Sequence, residues 1–267
     1  MSLARCFGVL GHPIGHSKSP AMHTAAFEAL GLSHRYLAFD VTPQRLPDAL
    51  AGAAALGFGG LNLTVPLKTH ALPLMDRLSP EAEAIGAVNT VCFTEAGTLG
   101  RNTDGEGFAL ALRELADPLP SHAVVLGGGG ASRAVVHALL AHGVAVRWIS
   151  RRPEALPAWA CECLGYAALE GVLGETDLLV NGTTVGMKGG AAAFPVPVPL
   201  ERLPAHAAVA DLVYPATALV AEARARGLSA MDGLPMLWGQ GVLALQHWLG
   251  FELTPRALGS MRSALVD

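Results

Sequence analysis

The sequence predicts a two-domain α/β fold, and three observations predict it. Apolar strand-type runs alternate with helix-type runs along the chain, a pattern that calls for mostly parallel sheets covered on both faces. A glycine-rich turn, Gly127–Gly130, stands between an apolar strand and a helix. More than a hundred residues precede that turn, enough for a domain of their own. The length of 267 residues suits one large or two modest domains, and 51% hydrophobic against 15% charged residues supplies ample core.

In the first part, Arg5–Leu10 reads as a strand. Ser19–Leu30 reads as a helix, with Pro20 in its first turn and Gly31 as its stop. Tyr36–Val41 follows as a strand, Pro43–Leu56 as a helix ended by Gly57, Gly60–Val65 as a strand ended by Pro66, and Ala87–Phe93 as another strand. The second part repeats the alternation. A helix that Asp104 can cap runs to Leu115, and strands are expected at Ala123–Leu126, Val144–Ile149, Asp177–Asn181 and Val209–Leu212. Between them the glycine turn opens a helix through His142, and Ala218–Arg226 forms a helix stopped by Gly227. Residues 187–204 contain Pro195, Pro197, Pro199 and Pro204 and read as a loop. Leu234–Leu249 reads as one long apolar helix. The expected domains are 1–104, completed by C-terminal helices within 236–267, and 105–235.

Several function classes are disfavoured. A net charge of -4 provides no basic field, so nucleic acid is not an expected partner. Mean hydropathy is +0.40, yet no apolar run reaches spanning length. No basic segment followed by an apolar one opens the chain, so a cytoplasmic location is expected. Cys6, Cys92, Cys161 and Cys163 are the cysteines. Cys161 and Cys163 lack a second pair at ligand spacing, so neither a metal site nor structural disulfides are expected.

The strand–turn–helix context of Gly127–Gly130 is what a dinucleotide-binding loop requires. Glycines let the backbone approach a pyrophosphate, and the helix start supplies unpaired N–H groups. The second part is therefore expected to be a Rossmann-like, doubly wound domain. In such a domain the end of the second strand faces the adenosine ribose, where a carboxylate favours NAD. Here Ser150-Arg151-Arg152 stands there without an acid. Guanidinium favours a 2′-phosphate, which selects NADP; the alternative is a pair of solvated arginines.

The first part gathers polar residues near turns. Ser17 and Ser19 flank a helix start, where hydroxyls suit a carboxylate; Ser19 as an ordinary N-cap is the alternative. Asn62, Thr64 and Lys68 interrupt or follow an apolar strand whose carboxyl end lies where ligands collect in such sheets. Lys68 is a candidate proton donor and acceptor, or a surface lysine. Asn89 and Asp104 lie in Gly86-Ala-Val-Asn-Thr90 and Asn102-Thr-Asp-Gly105. Asp104 is a candidate partner for Lys68, or a helix cap.

These stretches resemble the shikimate dehydrogenase family over essentially the whole chain. The matching motifs are Gly11–Pro20, Asn62–Lys68, Gly86–Thr90, Asn102–Gly105, the glycine loop, Asn181–Met187, Asp211–Pro215 and Gly233–Gln240. The resemblance implies NADPH-dependent, reversible reduction of 3-dehydroshikimate to shikimate in aromatic amino-acid biosynthesis. It implies that Ser17, Ser19 and Tyr214 bind the substrate carboxylate, and that Thr64, Lys68, Asn89, Asp104 and Gln240 bind the ring hydroxyls and the reacting carbon. Lys68 and Asp104 would be catalytic. Cofactor contacts would come from Gly127, Gly128, Gly129, Gly130, Ala131, Ser150, Arg151, Arg152, Thr183, Leu212 and Gly233. The implied partners are small molecules only, and the implied assembly is a monomer or homodimer. Departures from the family pattern are Ser150 and Arg152 in place of Asn and Thr, Gly128 and Gly182 in place of Ala, and Thr24 in place of Asn. A quinate/shikimate dehydrogenase of relaxed specificity and a non-catalytic NADP-binding sensor are the alternative functions.

Overall fold

The computed structural model describes residues 3–266. The chain forms two compact units, Met1–Thr103 with Gln240–Asp267, and Asp104–Gly239. The fold is α/β with parallel-rich sheets, as the alternating pattern predicts.

The first unit contains β1 (Cys6–Gly11), α1 (Ser19–Ala29), β2 (Arg35–Asp40), α2 (Leu46–Ala55), β3 (Gly60–Leu63), α3 (Leu67–His70), β4 (Arg77–Leu78), α4 (Pro80–Ile85), β5 (Thr90–Thr94) and β6 (Gly97–Arg101). Its sheet has the order β2-β1-β3-β5-β6-β4. β1 runs parallel to β2 and β3, and β4 parallel to β6. β5 is antiparallel to both its neighbours. The one reversed strand comes from a tight hairpin, where Gly97 takes φ +97° after Thr94. β3 is buried at all its positions because both faces are covered. Leu61, Leu63, Leu46, Leu50 and Val91 fill one core. Phe7, Phe27 and Trp248 pack together in another cluster.

Two expectations shift. The helix expected over Pro43–Leu56 is a 3₁₀ turn at Pro43–Arg45 followed by α2. Pro47 has no N–H and fits only the first turn of an α-helix, so regular hydrogen bonding starts at Leu46. The strand expected at Ala87–Phe93 begins only at Thr90. Gly86 closes α4 at φ +70°, and the next N–H groups go elsewhere: Val88 donates to the Lys68 carbonyl (2.8 Å) and Asn89 to the Arg101 carbonyl (3.0 Å).

The second unit contains α5 (Asp104–Leu115), β7 (His122–Leu126), α6 (Gly130–Ala141), β8 (Ala145–Ile149), β9 (Glu162–Leu164), α7 (Leu169–Val172), β10 (Leu178–Asn181), β11 (Ala208–Asp211), α8 (Ala218–Ala225) and β12 (Ser229–Met231). Every pairing is parallel, in the order β12-β11-β10-β7-β8-β9. From β7 the chain adds β8 and β9 on one side and then β10, β11 and β12 on the other, so the strand order reverses between β7 and β10, the switch point at which such sheets hold ligands. Alternate residues of β7 enter opposite cores. Ala123 and Val125 meet α5 and α6, while Val124 and Leu126 meet Leu169, Leu200 and Leu219. Residues 187–204 are irregular apart from a turn at Leu200–Arg202.

The chain re-enters the first unit within α9 (Leu234–Leu249) and ends in α10 (Pro255–Val266). The Lys18 ammonium donates to the Leu265 carbonyl (2.7 Å), completing the last turn of α10. No helix among the described residues is long and apolar enough to cross a membrane. Among those residues no group of three or more His, Cys, Asp or Glu is arranged to hold a metal.

Candidate active site

In the second unit the switch point is built from backbone. Gly127 leaves β7 at φ +105°, a conformation glycine alone adopts readily. A Cβ there would lie 2.9–3.0 Å from Ser132 Oγ, the Gly182 carbonyl and Thr183 Cγ2. The loops after β7 and β10 therefore touch, and the Ser132 hydroxyl ties them by donating to the Gly182 carbonyl (2.8 Å). Gly128 and Gly129 lead into α6, whose first residues are Gly130 and Ala131 and whose start has no side-chain cap. Free N–H groups there suit a phosphate.

Asp211 organises the neighbouring loops. Its carboxylate accepts from Asn181 Nδ2 (2.9 Å), the Val213 N–H (2.9 Å) and Thr217 Oγ1 (2.6 Å). Burial pushes its carboxyl above the usual range, against the pull of those donors. Asn181 Oδ1 in turn accepts from the Thr183 N–H and hydroxyl (3.0 and 2.7 Å). Thr183 and the Leu212 segment are thus held by one buried pair. Gly233 packs so closely on Leu212 that a Cβ would fall 2.3 Å from the Leu212 carbonyl oxygen. At the end of β8, Ser150 Oγ accepts the Arg152 N–H (3.2 Å), while Arg151 and Arg152 are exposed. Glycine backbone, an open helix start and two exposed guanidiniums fit a 2′-phosphorylated dinucleotide.

In the first unit the polar candidates join one buried network. Ser19 begins α1 and is buried; the cap position falls on Lys18, without a side-chain cap bond. The alternative reading of Ser19 as an N-cap therefore fails. Burial pushes the Tyr36 phenol well up, and the Ser19 hydroxyl pulls it the other way. The Ser17 hydroxyl accepts the Ser19 N–H (3.3 Å), keeping the two serines together. Tyr36 donates to Asn62 Oδ1 (2.7 Å), and Asn62 Nδ2 donates to the Asn89 carbonyl and Thr90 Oγ1 (3.1 and 3.2 Å). Thr90 and the Thr103 N–H both donate to Asn89 Oδ1 (2.9 and 2.8 Å). Asn89 Nδ2 donates to Thr103 Oγ1 (3.0 Å) and to Gln240 Oε1 (3.5 Å).

Lys68 is half-buried in α3, and its carbonyl is fixed by Val88 next to Asn89. Thr64, at the end of β3, lies over Gly11, whose Cβ would fall 2.4 Å from Thr64 Cγ2. Asp104 is buried and directly follows Thr103, so the network anchors its position along the chain. Tyr214 is half-buried and belongs to the second unit, after β11.

Sequence reading passed over Tyr36, Thr90, Thr103 and Asp211 as parts of these networks. Asn62, a polar residue in an apolar strand, is the signal that could have led to Tyr36. His23 was also passed over. It stacks on Tyr36 (centroids 4.2 Å, 12°), and burial pushes its pKa down to about 3. Neither of its ring nitrogens has a hydrogen-bond partner among the described residues.

An all-parallel sheet with a glycine cradle at its switch point, together with a second α/β unit holding a buried polar network, defines the two-domain dinucleotide-dependent oxidoreductases. Residues 9–91 match the shikimate dehydrogenase substrate binding domain family. The shikimate dehydrogenase (NADP(+)) of Thermus thermophilus is 46% identical over 264 residues, 95% of this chain and 98% of that protein. That of Methanopyrus kandleri is 44% identical, over 97% of this chain and 94% of its own length. The crystal structure of a Thermus thermophilus shikimate 5-dehydrogenase in complex with NADP(H) and shikimate superposes with TM-score 0.85 at 41% identity, covering 98% of each chain. The chain belongs to the shikimate dehydrogenase family.

Proposed function

We propose that this protein is an NADP-dependent shikimate dehydrogenase that reversibly reduces the ring ketone of 3-dehydroshikimate to shikimate in aromatic amino-acid biosynthesis. The observation that carries this reading is the buried network joining Tyr36, Asn62, Asn89 and Gln240, with Lys68 fixed beside it, in a chain of this family. The unit Met1–Thr103 with Gln240–Asp267 binds substrate, and Asp104–Gly239 binds NADP.

When bound, NADPH supplies the hydride for the ketone carbon. Lys68 acts on the carbonyl oxygen, stabilising its growing negative charge and donating the proton; in the oxidative direction the amine takes that proton back. Asp104 orients the reacting hydroxyl and the amine. Thr64, Asn89 and Gln240 hydrogen bond the ring hydroxyls, and Ser17, Ser19 and Tyr214 hold the carboxylate. Gly127–Ala131 bind the pyrophosphate, Ser150, Arg151 and Arg152 the 2′-phosphate, and Thr183, Leu212 and Gly233 the nicotinamide end. The protein acts on small molecules in the cytoplasm, a setting that suits its four free cysteines.

The test is the initial rate of nucleotide reduction with shikimate, quinate or buffer alone, each with NADP⁺ and with NAD⁺. Shikimate with NADP⁺ should give the highest kcat/KM. Absence of shikimate-dependent NADPH formation would remove the proposal.

A further inference from the structure

Trp148 is fully buried on β8, at 0% exposure, in the core between the sheet and helices α5 and α6. An indole N–H can only donate, and a buried one needs an acceptor. Its acceptor is the carbonyl of Gly127, at 2.6 Å. The Gly127 N–H in turn donates to the Ile149 carbonyl (2.8 Å). Both polar groups of the first loop glycine are therefore held by two consecutive residues of β8. Trp159 stacks on Trp148 (5.4 Å, 19°) and supports the ring.

The consequence follows from peptide geometry. In a planar trans peptide the C=O and the following N–H point in opposite directions. The Gly127–Gly128 bond is not among the cis peptides. Holding the Gly127 carbonyl toward the indole therefore turns the Gly128 N–H away from it. The geometry points to Trp148 as a positioning residue for the cofactor: it orients the Gly128 N–H as a donor to the dinucleotide pyrophosphate without touching the ligand. This inference rests on the NADP reading of the loop. At φ +105° Gly127 lies in the region where only glycine is unrestrained, so the loop backbone has alternatives that a side-chain tether removes. On a buried strand an indole looks like packing alone, so position 148 carries no sequence signal of this role.

The experiment is calorimetric NADP⁺ binding without substrate, alongside steady-state kinetics. The proteins are wild type, Trp148→Phe, Trp159→Phe, and a variant carrying benzothienylalanine at position 148. That last side chain keeps the indole shape and replaces N–H by sulfur, so it tests the bond even if Trp148→Phe folds poorly. Loss of one hydrogen bond of this kind should weaken NADP⁺ binding by about three- to tenfold in both position-148 variants. kcat at saturating NADP⁺ and KM for shikimate should stay as in wild type. Trp159→Phe disturbs the same aromatic pair but leaves the Gly127 bond, and its NADP⁺ affinity should stay within about twofold of wild type. Unchanged affinity in the benzothienylalanine variant, or an equal loss in Trp159→Phe, overturns the inference while leaving the NADP reading intact. Failure of the wild type to bind NADP⁺ removes that reading and the inference together.

Discussion

Arg151 stands exposed at the end of β8 with no acidic residue beside it at the strand end. A charge-assisted contact from guanidinium to phosphate contributes about 1.5–3 kcal/mol. Arg151→Ala should therefore raise the Kd for NADP⁺ by about tenfold or more and leave the weaker binding of NAD⁺ nearly unchanged; calorimetry with both nucleotides reads this, and equal losses for both would place the arginine elsewhere. His23 makes a separate prediction. Its folded pKa of about 3 lies below the ordinary 6.5, so the unfolded chain binds the proton first as pH falls. The stability that depends on neutral His23 is complete above 6.5 and is lost on acidification toward about 3, at up to about 1.4 kcal/mol per pH unit. Denaturant melts should show a steeper loss between pH 6.5 and about 3 in wild type than in His23→Phe; parallel curves would contradict it. At this scale the sequence showed the residues that interrupt apolar runs, such as Asn62 and Lys68. It did not show Tyr36, whose partner Asn62 lies 26 residues away and is reached only through strand pairing.

Among elements, long helices and central strands were legible because their apolar periodicity is repeated over many residues. β4, β9 and β12 span two or three residues each, too few to show a period. β6 has glycines at Gly97 and Gly100 and carries no strand signature. The shifted start of β5 reflects backbone partners, Lys68 and Arg101, that no local pattern encodes. The opposite end of the second sheet holds a different device. Asp177 accepts the N–H groups of Ser121 and His122 (3.0 and 2.9 Å) and bonds His206 (3.0 Å), tying the starts of β7 and β10 to the approach to β11. Burial opposes its ionisation, but His206 and those N–H groups outweigh it and hold the carboxyl below 3.8. For an acid with a lowered folded pKa, the stabilisation is present above the unfolded value and is lost as pH falls through the folded one. Asp177→Asn should thus lower Tm at neutral pH and have little further effect below that range. A Tm difference that grows on acidification would contradict the assignment.

For the whole molecule, the chain leaves the first unit after Thr103 and returns at Gln240, so the second unit is an insertion within the first. Two ligands with separate homes should leave separate footprints in hydrogen exchange. NADP⁺ should protect amides around 127–131, 150–152 and 183, and shikimate those around 17–19, 64–68 and 89. Protection by both ligands of one set alone would contradict the assigned roles. If the Lys68 amine moves the proton that accompanies hydride transfer, Lys68→Ala must lose turnover while keeping its cofactor. kcat for shikimate oxidation in that variant, with the NADP⁺ Kd measured on the same protein, decides it. A fall of about a hundredfold or more in kcat with Kd nearly unchanged is the predicted result. Turnover close to wild type would contradict it.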